Sequence, residues 1–287
     1  VIFWRKLKQF LEGSKMKVFL VVVCLMAVAN MALAENIRGI ELDFAAIGNA
    51  GNSADTTGYG AVSHNYRIGT KEITANQWQT IDTAAGIGGS GYWSGNQPAA
   101  SISWYDAARF CNYLTSGNKY SGAYNFDQSG NFLGIDRNSA VSSYGTVYVI
   151  PTEDEWYKAA YYTGSSYSLY ANGQNTIPAA DNGWNYDGGL YSDPWNVGAG
   201  TPEQNGTFDM MGNVWEWNET LIGSNRGVRG GSYGCYDYQL ISSYRYDADP
   251  FYQSVVGGLG FRVASIPEPA TLLLLGLGGM FLRKRKM

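Results

Sequence analysis

The densest chemistry in this 287-residue chain lies in Thr207-Phe-Asp-Met-Met-Gly-Asn-Val-Trp-Glu-Trp-Asn-Glu219, where acids, amides, a glycine and two tryptophans share one short stretch. The alternation of Val214, Glu216 and Asn218 with Asn213, Trp215 and Trp217 predicts a strand with aromatics on one face and oxygen on the other. Asp209 supplies a carboxylate and Gly212 a turn, so Asp209, Glu216 and the carbonyls between them could converge on a hard cation such as calcium. The competing reading makes Glu216 a buried acid bonded to backbone, and Trp215 and Trp217 are expected in the core. Farther upstream, Asn182, Asn185 and Asp187 could form a second cation site or ordinary Asx turns. His64 is the single histidine, so a three-histidine iron site or a zinc cluster is excluded and His64 is expected to be structural.

The elements that must position these groups are short. Aromatics equal charged residues at 15% each, and 37 glycines and 22 tyrosines favour loop-rich structure over a helix bundle. Capping patterns predict three helices, starting at Thr74 with Gln77, at Ser103 with Asp106, and at Thr152 with Glu155. The first follows a strand-like run at residues 66–73 and buries Trp78 and Ile81. The second, from Trp104 to about Leu114, carries Trp104, Ala107, Ala108, Cys111 and Leu114 on one stripe, which makes Cys111 a small core residue rather than a nucleophile. The third, from Pro151 to about Tyr161, turns Trp156 and Ala160 inward. It places Glu153, Asp154 and Glu155 in the first turn, where the helix dipole favours them. From Tyr162 to Gly206 no period is visible and a long loop region is expected.

The two ends read as address labels. Met16-Lys17, an apolar run from Val18 to Val28 and Ala32-Leu-Ala34 predict a signal peptide over residues 16–34, with residues 1–15 as upstream translation. At the other end Pro267-Glu-Pro269 precedes an apolar run from Ala270 to Leu282 and the basic cluster Arg283-Lys-Arg-Lys286. This arrangement over residues 266–287 resembles the PEP-CTERM sorting signal, which implies an exosortase-type membrane partner; a plain tail anchor is the alternative. Between the ends, residues 35–265 hold 11 basic and 22 acidic residues. A charge near −11 disfavours nucleic acid and suits cations. Some 230 residues make one domain with room for a full core, and two cysteines, Cys111 and Cys235, make no disulfide framework.

From about Ile40 to Ser265 the order of landmarks resembles the formylglycine-generating enzyme (sulfatase-modifying factor) family. The carriers are Tyr66-Arg-Ile-Gly with Glu72-Ile-Thr, Ile102-Ser-Trp-Tyr-Asp-Ala107, and Ile150-Pro-Thr-Glu-Asp-Glu-Trp-Tyr-Lys-Ala-Ala160. The Trp-Glu-Trp stretch, Arg229-Gly-Gly-Ser232 and Gly260-Phe-Arg262 complete the series. The resemblance implies an α+β, elaborated C-type-lectin-like fold, poor in regular structure and stabilised by calcium. Asp209, Gly212, Val214 and Glu216 would then form one calcium site, two of them through backbone oxygen.

Enzymes of that family oxidise a cysteine of a target sulfatase with oxygen and a copper(I) ion held between two thiolates, soft ligands for a soft ion. By the same resemblance Cys235 stands at the first thiolate and Ser232 at an active-site serine, but the second thiolate position is Leu240. An expected asparagine is Gly258. Copper is therefore not expected, and the leading expectation is an exported, surface-destined, non-catalytic binding or structural protein. Its contact residues would be Tyr233, Tyr236, Asp237, Tyr238, Tyr244, Arg245 and Tyr246, in a stretch rich in Tyr, Ser, Asp and Gly such as adaptable recognition loops use. The alternative keeps an oxidase or another thiol-dependent oxidoreductase working through Cys235.

Overall fold

The computed structural model describes residues 34–89, 92–186, 193–253 and 258–266. The upstream segment, Asp187 and nearly all of the expected signal peptide and sorting segment lie outside them. Among the described residues no helix is long and apolar enough to cross a membrane.

Strands β1 (Glu35–Ile37), β2 (Ile40–Leu42), β3 (Phe44–Ile47) and β4 (Tyr66–Gly69) open the domain, followed by α1 (Ala75–Ala85) and α2 (Trp104–Ser116). Then come β5 (Tyr124–Phe126), β6 (Phe132–Ile135), α3 (Arg137–Tyr144), β7 (Val147–Val149) and α4 (Glu153–Tyr161). The chain closes with β8 (Trp215–Ile222), β9 (Asn225–Arg229), β10 (Tyr246–Ala248), β11 (Leu259–Gly260) and β12 (Ala264–Ile266). Two four-stranded sheets organise this set, one in the order β10-β9-β8-β11 and the other β3-β4-β12-β7, beside the small pairs β1-β2 and β5-β6.

The three expected helices form where their caps predict. Thr74 and Thr152 each accept from the third backbone N–H while Gln77 and Glu155 reach back to the cap, satisfying two otherwise orphaned donors at each start. Ser103 accepts from Asp106 N, but its hydroxyl then donates to the Asp106 carboxylate instead of completing a reciprocal pair. Helix α3 was not expected: it buries only Ala140, so its sequence carries almost no apolar stripe, and its start depends on Asp136 accepting from Ser139. Between α4 and β8 the described residues contain neither helix nor strand, as the missing period implied.

Four tryptophans, Trp78, Trp104, Trp156 and Trp217, are fully buried. Burying an indole requires a partner for its N–H. Trp104 donates to Asn218 O (3.0 Å), Trp217 to Ile102 O (2.8 Å) and Trp156 to Glu216 Oε2 (2.8 Å), so the core is tied to β8 by polar as well as apolar contacts.

The two sheets are joined by the chain between β11 and β12, and Arg262 sits at that junction. Its Nη2 and Nε meet Glu216 Oε1 and Oε2 at 2.5 and 2.6 Å, and its remaining donors reach the carbonyls of Gly69 (3.0 Å), Thr70 (3.3 Å) and Phe208 (2.8 Å). Both side chains are 0% exposed. Glu216 is thus a buried acid bonded to a guanidinium and an indole, rather than to backbone as one reading expected.

Helix α4 performs a similar service with its acidic first turn. Glu153 takes Arg229 and Arg245, Glu155 takes Arg137 and His64, and Asp154 accepts from Gly60 N. His64 is structural, as expected. Burial pushes the Glu155 carboxyl up, but the Arg137 charge and the hydrogen bonds outweigh it and hold the group down at about 2.

Removing one partner of a fully buried pair leaves an uncompensated charge, which costs roughly 3–5 kcal/mol. Arg262→Met is expected to lose about that much in equilibrium urea unfolding, while Arg67→Met, at a half-exposed pair with Glu35, is expected to lose about 1 kcal/mol or less.

Candidate functional site

The stretch before β8 is backbone under constraint. Asp209 and Asn213 have φ of +62° and Gly212 +93°, all left-handed, and a Cβ on Gly212 would overlap the carbonyl oxygen of Asn185. Asn and Asp tolerate this region better than most residues, and glycine is required where backbone comes so close. Asn213 fixes the turn further: its amide donates to Glu72 Oε2, and its carbonyl side-chain oxygen accepts from Trp195 N (2.8 Å) and Asn185 Nδ2 (3.1 Å).

These contacts decide how the expected cation residues lie. Asp209 Oδ2 accepts from Gly198 N at 2.7 Å, and burial pushes its carboxyl up to about 6. Glu216 does not join it in a cage, because both its oxygens are spent on Arg262. Gly212 lies against Asn185, and Val214 contributes its N–H to Glu72 Oε1 (3.1 Å). Asn185 is buried with its Oδ1 lacking a hydrogen-bond partner. Glu203, which the sequence reading passed over, lies in the same neighbourhood. It accepts from Thr207 and Met210 through one oxygen, leaves the other unpartnered, and is pushed by burial up to about 8.

On the outer part of the β10-β9-β8-β11 sheet a cleft of about 600 Å³ opens. Its walls are Trp215, Tyr233, Tyr246 and Tyr252, its polar groups include Ser232, Asn225, Asp247 and Asp249, and Gly258 and Leu259 bound it. Trp215 is half-buried here and forms a wall instead of entering the core, which corrects the expectation for that residue. Its ring lies 6.0 Å from Tyr244 and 5.9 Å from Tyr246. The aromatic surface continues through Tyr244 to Tyr238 and the stacked Tyr236–Tyr238 pair.

The expected contact residues therefore divide. Tyr233 and Tyr246 line the cleft, and Tyr236, Tyr238 and Tyr244 extend its aromatic rim. Asp237 is turned to its own backbone, accepting from Tyr238 N (2.7 Å). Arg245 points away to Glu153, with Nε–Oε1 at 2.8 Å and Nη2–Oε2 at 2.7 Å, so it belongs to the scaffold. Asp247, Asp249 and Tyr252 were missed, although they stand in the same Tyr- and Asp-rich stretch.

Beside the cleft Cys235 is 5% exposed, and its Sγ lies 3.4 Å from Ser232 Oγ. Burial pushes the thiol up, and hydrogen bonds from Ser232 and Trp215 oppose this only in part. Leu240 is buried next to it, since a Cβ placed on Gly231 would collide with Leu240 and stand 3.6 Å from Cys235 Cβ. A two-thiolate copper(I) centre does not fit this donor set: one sulfur faces an aliphatic side chain that offers no lone pair.

The chain is similar in fold to Treponema denticola variable protein 1, with a TM-score of 0.62 and 23% identity over 83% of this chain and 99% of that one. It is similar also to CarF (TM-score 0.57, 21% identity, 79% and 99% covered) and to PvdO from Pseudomonas aeruginosa (0.57, 16%, 82% and 98%). The architecture is thus α+β and C-type-lectin-like. A curated relative, "Chaperone protein LppX" of Paenibacillus barcinonensis, is 26% identical over 199 residues, covering 58% of this chain and 69% of its own length. Residues 51–266 match the sulfatase-modifying factor enzyme 1-like domain, and the chain belongs to that family. Residues 265–286 match the PEP-CTERM protein-sorting motif, which implies exosortase-type sorting machinery.

The Glu203 arrangement gives a pH signature. The folded carboxyl near 8, against 4.5 ordinarily, means that the native state binds more protons than the unfolded chain between those values. Its contribution is complete below about pH 4.5 and declines as pH rises through 8. Urea midpoints are expected to fall from pH 5 to pH 8 in the wild type, and the fall is expected to be shallower in Glu203→Gln.

Proposed function

We propose that this family member is an exported, surface-destined protein that binds through the Trp215–Tyr246 cleft and does not oxidise cysteine. The observation that carries the reading is the pairing of Cys235 with Leu240. The expected position of a second sulfur is filled by a packed aliphatic side chain, and burial holds the remaining thiol in its less nucleophilic, protonated form. The sorting motif supports a destination at the cell envelope or outside it. The aromatic rim supports binding, because Tyr and Trp bring large contact areas at small conformational cost.

The test is a cysteine peptide of the sulfatase type incubated with the purified chain, copper(I) and oxygen, followed by mass spectrometry. No formylglycine product is expected. Product that disappears in Cys235→Ala would establish the oxidase instead.

Calcium belongs to the same proposal in reduced form. The residues that would hold it are Asp209 and Asn185 with the backbone oxygens of Gly212 and Val214, without Glu216. What supports this is the unpartnered Asn185 Oδ1 and an Asp209 carboxyl raised by burial. A hard cation there would supply charge and coordination for oxygen donors. Binding to the native state alone raises the melting temperature by mass action. A rise in Tm in millimolar calcium, absent in Asp209→Asn, is the expected outcome; an unchanged Tm would remove calcium from the account.

A further inference from the structure

We infer that the Trp215–Tyr246 cleft is a site for an organic cation, an ammonium or guanidinium group, an assignment that rests on the cleft being a binding site. The first support is the chemistry of the walls. Trp215, Tyr233, Tyr246 and Tyr252 surround the space, and Trp215 and Tyr246 lie with ring centres 5.9 Å apart and planes 40° from each other. That is an angled pair of faces, and the negative faces of such rings attract a cation placed over them, most strongly for tryptophan. Tyr246 and Tyr252 are 55% and 48% exposed, so the faces are reachable.

The second support is charge. Among the described residues, two carboxylates, Asp247 and Asp249, line the cleft and no lysine, arginine or histidine does. Arg245, just before β10, lies within the field of Asp247, but its guanidinium is hydrogen-bonded to Glu153 and does not line the cleft. Asp247 is held by Asn225 Nδ2 (2.7 Å) and Asp249 by Phe251 N (2.8 Å). These bonds fix the carboxylates without cancelling their charge. An anionic ligand would meet two like charges, whereas a cation meets rings and carboxylates together.

The third support is size and contrast. About 600 Å³ suits a side chain or a small molecule rather than a docked domain. Cys235 does not line the space, so the recognition asks nothing of the thiol. A neutral sugar would also stack on these rings, but it would gain nothing from the missing basic groups.

The experiment is isothermal titration of the purified full-length chain with Nα-acetylarginine methyl ester and with Nα-acetylcitrulline methyl ester, its neutral near-isostere, plus methyl glucoside as a polyol. The arginine ester is expected to bind at least about tenfold more tightly than either, with the preference shrinking as salt rises. In Asp247→Asn/Asp249→Asn, checked for an unchanged Tm, the preference is expected to vanish. Equal binding of citrulline and arginine esters, or tighter binding of the glucoside, would overturn the assignment, and this comparison needs no variant. Spermidine and the peptide Gly-Arg-Gly identify the source: the tighter of the two tells whether a free polyamine or a protein side chain supplies the charge, and either supports the site. Formylglycine formation in the separate peptide assay would defeat the binding-only function while leaving the cation preference intact, so the two failures are distinguishable.

Discussion

The contact on which this domain depends is the buried meeting of Arg262 with Glu216. Neither group touches solvent, so each carries a desolvation cost that the other largely offsets; three backbone carbonyls complete the guanidinium's hydrogen bonds and the Trp156 indole donates to the carboxylate. The carbonyls belong to the end of β4 and to the loop before β8, while the carboxylate belongs to β8 itself. One side chain therefore holds two sheets and a long irregular segment in register. In a protein with so little regular structure, this is what repeated ladder bonds supply elsewhere.

The same contact shapes the site. Because Glu216 turns inward to Arg262 and Trp217 follows into the core, β8 begins with Trp215 only half covered. The left-handed turn from Asp209 to Asn213 delivers the chain to that point at a fixed angle. Arg229 and Arg245, one on β9 and one beside β10, are drawn to Glu153 at the start of α4. Both guanidiniums are thereby engaged by one carboxylate outside the cleft, which keeps its own acids and rings.

Much of this was legible in the residues. Caps at Thr74 and Thr152 marked helix starts because their hydrogen bonds are local, and the apolar stripe through Trp104 and Cys111 marked a buried face. The strand at Trp215 was visible from alternation, and Leu240 beside Cys235 from the resemblance. Other features depend on contacts that no local pattern encodes. The partner of Glu216 is 46 residues away, so a buried acid could be read equally as a metal ligand. Arg245 stands in a Tyr- and Asp-rich stretch suited to recognition, yet its distant partner Glu153 draws it into the scaffold. Trp215 and Trp217 share a strand face in sequence terms, yet Trp215, at the first residue of β8, is only half covered. Helix α3, with a single buried residue, has no signal of its own.

Strand β12 carries a further consequence. It lies between β4 and β7, inside its sheet, and pairs with both through Ala264 and Ser265. The sorting motif starts at residue 265, so its first residues are already woven into the fabric of the domain. A nascent chain must have spun out nearly all of its globular part before the last interior thread can be drawn through, and any scission that spares the fold has to fall beyond Ile266.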